Sequence, residues 1–175
     1  MTNIGNMFAA LGRTKVSNVE VPGYIDRDGP LPRFVSMDRT FYLVRQSDYV
    51  RIDVPGSEDF LTFQVVGRPE RPANLDDDEE FAMSSYGRLF LDEDVSSFAL
   101  TRIRCLVSDG RRPSEELVKC IEFEFEHSSH LFADPRNFFG IRLAGSGAYD
   151  DWKAYSQRPD MPFGSLREAV WTPDS

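Results

Sequence analysis

Residues 118–144, VKCIEFEFEHSSHLFADPRNFFGIRLA, carry the strongest strand signal in the chain. Ile121, Phe123 and Phe125 alternate with Glu122, Glu124 and Glu126. A period of two sends one set to a core and the other away from it. The run is therefore expected to be a strand. A polar loop over 127–136 should follow, with a turn at Asp134-Pro135. Residues 138–143 then form the returning strand, and the stretch reads as a hairpin-like unit at the centre of a sheet. Three glutamates on one face must meet water or cations, because neighbouring like charges repel.

Upstream, residues 98–107 give a long strand. Ala99, Thr101, Ile103, Cys105 and Val107 share one face, and Phe98, Leu100, Arg102, Arg104 and Leu106 share the other. Residues 41–45, 49–54 and 60–66 alternate in the same way and form an antiparallel meander. Residues 16–32 hold P-G, D-G and G-P steps, so they read as turns around a short strand at 19–21. Asp26, Asp28 and Gly29 match part of a calcium loop. They lack its third acid and terminal Glu, and read as a turn. Residues 81–91 fit either a strand broken at Gly87 or a poor helix.

Helical signals are short. Ile4, Met7, Phe8 and Leu11 are spaced for an amphipathic helix that stops at Gly12. Residues 113–116 and 149–155 suggest brief helical turns. Ser165 and Glu168 have capping-box spacing, which predicts a helix over 165–171. The fold class is α+β: mainly antiparallel β-sheet with short helices at the N- and C-termini. A chain of 175 residues fits one domain, 1–175. The acidic loop at 67–80 reads as an insertion.

Composition narrows the function. Leu, Ile, Val and Phe make up about a quarter of the chain, above the ~20% expected of disordered sequences. The formal net charge is −9, which disfavours nucleic acid and anionic membranes and favours a basic partner protein. No targeting segment and no apolar run of ~18 residues is visible, so the expected location is cytoplasmic. Two cysteines, Cys105 and Cys120, are too few for a disulfide framework and suit reduced buried thiols.

Three sets of residues could carry function. Glu122, Glu124 and Glu126, together with Asp76, Asp77 and Asp78, form negative surfaces able to steer a basic partner. Trp152, Tyr149 and Tyr155 lie among acids near the end of the chain and could anchor that partner. His127, His130 and Asp134 could ligate a metal if the segment turns helically, with Glu126 as a fourth ligand. Gly145-Ser146-Gly147 reads as a turn rather than a phosphate cradle. No nucleophile elbow is present, and no cofactor is implied. The resulting expectation is a non-enzymatic protein-binding protein, of the immunity or inhibitor type, that covers a basic partner. One alternative is a small-ligand- or metal-binding enzyme using His127 and His130. The other is a structural subunit of a larger assembly, such as a viral one, joined by edge strands.

Overall fold

The computed structural model describes residues 4–110, 115–137, 139–161 and 163–173. Helix α1 (Ile4–Gly12) leads into β1 (Val16–Asp26), β2 (Arg33–Ser36), β3 (Thr40–Arg45), β4 (Tyr49–Asp53), β5 (Thr62–Val66) and β6 (Glu80–Ser85). These strands form one antiparallel sheet in the order β2-β1-β3-β4-β5, with β6 also paired to β1. A single turn of helix, α2 (Gly87–Phe90), precedes the second sheet. That sheet contains β7 (Leu100–Asp109), β8 (Glu116–Phe125), β9 (Ser129–Asn137), β10 (Gly140–Ala144) and β11 (Arg167–Trp171). Its order is β10-β9-β8-β7-β11, and helix α3 (Ala148–Ser156) lies between β10 and β11 in the chain. The fold is thus mostly antiparallel sheet with a few short helices.

The meander over β3, β4 and β5 and the helix α1 match the sequence pattern. The main core lies between the two sheets. Val19, Leu43 and Ile52 from one sheet meet Ile103, Cys105, Ile121, Phe123 and Leu131 from the other, all without exposed surface. Phe8 and Leu11 of α1 join the same core. A second, smaller cluster of Leu106, Cys120, Phe132, Tyr149 and Trp152 lies on the opposite face of the second sheet, beneath α3.

Several expectations are corrected. The short strand at 19–21 extends across 16–26, through Pro22 and Gly23. On one edge Pro22 falls in the gap where β1 changes partner from β3 to β2, while on the other edge it stays in register with Met83 of β6. Its carbonyl accepts from the Met37 N–H at 2.8 Å. The loop expected over 127–136 is mostly β9. Only Glu126–Ser128 turns, as a short 3-10 segment with His127 and Ser128 at positive φ. Pro135 sits at the register shift between β9 and β10, beyond the last pair with β8, which is why a strand tolerates it. The returning strand β10 therefore pairs with β9, not β8.

The helix expected over 165–171 is strand β11. Glu168 pairs with Leu106 rather than capping a helix, and Ala169 and Trp171 pack on the main core. Tertiary packing outweighs the local capping signal. A register shift near Leu100 moves that residue and Phe98 into the main core, away from the face of Arg102 and Arg104. Residues 81–91 resolve as β6 and then α2, with the break at the expected glycine. Pro113 and Ser114 of the expected turn at 113–116, and Phe138 of the expected strand, lie outside the described residues; Glu116 begins β8.

Cys105 and Cys120 are free and buried, on adjacent strands but in different clusters. Burial pushes the Cys105 thiol up to about 12 and raises Cys120 as well. Among the described residues no helix is long and apolar enough to cross a membrane.

Candidate functional site

The outer face of the second sheet carries a row of paired charges. Alternation along β7 places Arg102 and Arg104 outward, and alternation along β8 does the same for Glu122 and Glu124. Register then sets Arg104 directly opposite Glu122 and Arg102 opposite Glu124. Across the other edge of β8, Glu124 faces His130 and Glu122 faces Phe132. Opposite charges facing each other across an antiparallel pair are favourable where like charges are not.

The Arg104 guanidinium donates to Oε2 of Glu122 through Nε at 2.9 Å and Nη2 at 2.5 Å. Its Nη1 donates to Asp150 of α3 at 3.0 Å, and its plane lies 4.4 Å over the Tyr149 ring. Arg102 donates to Oε1 of Glu124 through Nε at 2.8 Å and through Nη2. Helix α3 meets the row at Arg104 and ties to β11. The Tyr149 hydroxyl donates to Oε1 of Glu168 at 3.0 Å, and Lys153 pairs with Oε2 at 2.5 Å. The Lys153 bond holds the Glu168 carboxyl below its ordinary value. Burial pushes the Tyr149 hydroxyl up.

The negative face expected of Glu122, Glu124 and Glu126 is therefore not a free surface. Glu122 is completely buried. Glu124 is paired, with only 13% of its side chain exposed. Glu126 leaves the row, because the strand ends at Phe125. Its carboxylate accepts from the Ala99 N–H at 2.9 Å, which lowers its proton affinity, and lies 3.6 Å from Lys15. Tyr149 is also buried, so it supports the row rather than meeting a partner.

The metal set expected from His127, His130 and Asp134 is not assembled. The segment is extended rather than helical. His127 stands at the exposed turn, edge-on to Phe98 with ring centroids 6.4 Å apart. Asp134 lies four strand residues beyond His130, roughly 13 Å along β9 at ~3.3 Å per residue. His130 instead meets the glutamates. Ligand-type atoms of Glu122, Glu124 and His130 lie within 4.8 Å of one another, the only such group of three among the described residues. Oε1 of Glu122 and Nδ1 of His130 are 3.6 Å apart. Both are buried and lack a hydrogen bond. Leaving a buried polar atom unsatisfied costs about 1–3 kcal/mol.

Beside the row, α3 and the segment leading to β11 enclose an open cleft of about 670 Å³. Asp134, Arg136, Arg142, Trp152, Tyr155 and Phe163 line it. The Trp152 and Phe163 rings lie 5.2 Å apart, Tyr155 meets Phe163 edge-on at 6.0 Å, and Arg136 stacks 4.1 Å over Phe163. Trp152 donates to Asp134, but burial is the larger influence and holds that carboxyl above its ordinary value. Tyr155 is 43% exposed, whereas Trp152 forms a buried wall.

The structure thus brings Trp152, Tyr155 and Asp134 into one cleft. It leaves Asp76, Asp77 and Asp78 exposed in the loop before β6. That loop is held by buried Leu75 and by Arg71, which donates to the backbone carbonyls of Asp76 and Glu79. Sequence reasoning missed the roles of Arg102, Arg104, Arg136 and Arg142. The R-x-R spacing in β7 against E-x-E in β8 was the available signal for the first two. Compared with known proteins, the chain matches no family model, no curated protein and no solved structure.

Proposed function

We propose that the protein is a non-enzymatic binding protein that engages another protein through the cleft beside α3. The observation that carries this reading is the grouping of Trp152, Tyr155 and Phe163 around one open concavity, where Asp134 and Asp151 balance the charges of Arg136 and Arg142. Trp, Tyr and Arg are the residue types in which binding energy concentrates, and hot spots favour pockets that a partner can desolvate. Packing among the rings fixes the cleft before a partner arrives, which lowers the ordering cost of association.

Charge supplies the second part of the reading. A net charge of −9, with Asp76, Asp77 and Asp78 exposed, attracts a basic partner and speeds encounter. The specific form is an inhibitor- or immunity-type protein that covers a basic partner. It works in the cytoplasm, where two buried thiols remain reduced.

The test is capture from the native host on immobilised protein, followed by affinity measurement with Tyr155→Ala. Tyr155 is exposed, so its removal spares the core. The variant should bind tenfold or more weakly, about 1.4 kcal/mol. Undiminished affinity in a folded Tyr155→Ala protein would sink the assignment of the cleft.

A further inference from the structure

We infer that Glu122, Glu124 and His130 form a binding site for a divalent transition-metal ion of the zinc class. This site is separate from the cleft and does not depend on the binding function proposed above.

The starting point is an unsatisfied pair. Glu122 is completely buried, yet its Oε1 has no hydrogen bond, and it faces Nδ1 of His130, which also has none. Polar atoms buried in a well-ordered sheet are normally paired, so an unpaired carboxylate oxygen aimed at an unpaired imidazole nitrogen points to a missing group. A group that accepts electron pairs from both satisfies the two atoms at once. A metal ion does so, and Glu124 supplies a third donor, with all three atoms within 4.8 Å of one another. Bonds of ~2.0–2.2 Å would need only small inward shifts of three side chains.

The surroundings favour ligation. Arg104 engages Glu122 through Oε2, and Arg102 engages Glu124 through Oε1, so each carboxylate is oriented by one oxygen. Hydrogen-bond partners of this kind fix metal ligands in place. The donors come from two adjacent strands, whose pairing of Glu124 with His130 holds the spacing rigidly. Access is from the side of His130, which retains 22% side-chain exposure. One imidazole nitrogen with two carboxylates suits zinc and its neighbours better than calcium or magnesium, which take larger all-oxygen shells. The two guanidinium groups offset both carboxylate charges. They favour a site of moderate affinity, completed by water at the open position.

The test uses untagged full-length protein stripped with chelator and titrated with zinc chloride by calorimetry. One ion per chain is expected. His130→Ala should lose at least a hundredfold in affinity, and Glu124→Gln at least tenfold. His127→Ala should bind as the wild type does, since His127 lies outside the set. Absence of binding by the wild type overturns the inference, as does undiminished binding by His130→Ala or equal loss in His127→Ala. Should either loss variant fail to fold, X-ray absorption on the zinc-loaded wild type decides. One imidazole nitrogen with oxygen neighbours supports the site, and a sulfur neighbour from a cysteine overturns it.

Discussion

Glu122 and Glu124 on β8, and Asp76, Asp77 and Asp78 in the loop before β6, are similar runs of acid in the sequence. Their places in the fold differ entirely. The first pair is held by Arg104 and Arg102 from the neighbouring strand, and α3 meets the row at Arg104. The three aspartates stand in solvent. The difference comes from neighbours, not from the acids. A strand brings cross-strand partners at ~4.5–5.5 Å between Cβ atoms, and complementary rows cancel. A loop broken by Pro69 and Pro72 has no such ladder, so its charges stay wet. Acidity in a sequence therefore locates a binding surface only after pairing has been taken into account.

Arg104→Met should have the largest effect. It leaves the buried Glu122 charge without its partner and should cost about 3–5 kcal/mol in urea unfolding. A loss below about 1 kcal/mol would mean that the row is solvated, and the contrast with the loop would collapse. Tyr149→Phe removes the hydroxyl bond to Glu168 while keeping the ring beneath Arg104. Because Lys153 still holds that carboxylate, about 1 kcal/mol of destabilisation is expected.

Acid titration should separate two carboxyls beside α3. The Glu168 carboxyl is held below its ordinary 4.5, chiefly by Lys153. Its contribution to stability is present above that value and is lost as pH falls through the lower folded value. Asp134 behaves in the opposite sense. Burial raises it above 3.8, so its protonation on acidification favours the fold. Carboxyl NMR should show Asp134 taking its proton above its ordinary 3.8 and Glu168 below its ordinary 4.5; an Asp134 value below 3.8 would contradict its burial. The smallest effect belongs to the loop. Asp76, Asp77 and Asp78 changed together to Asn should alter stability by no more than about 0.5 kcal/mol. They should slow association with a basic partner at low salt without changing its dissociation.

How much of this was legible depended on how local each cause was. The alternation of Ile121, Phe123 and Phe125 needs only the pleat of one strand, and it identified β8 and its buried face directly. The same alternation placed Glu122 and Glu124 on the other face correctly, but said nothing of what covers it. That required the register with β7 and the packing of α3, both long-range. Pro135 and the Ser165/Glu168 pair misled for the same reason. Each carries a strong local turn or cap signal, which a register shift in one case and a strand partner in the other overrides. His127 and His130 are close in sequence, yet a turn with positive φ parts them and sends His130 to the glutamates. The cleft joins residues from β9, β10, α3 and the segment before β11, so no single stretch announced it.

Hydrogen exchange on the complex with the captured partner tests the binding assignment most directly. Partner binding should slow exchange in α3 from Trp152 onward and in residues 158–164, with β8 unchanged because its row is already buried. Protection confined to other regions, such as the edge strand β5 or the 67–79 loop alone, would contradict the account.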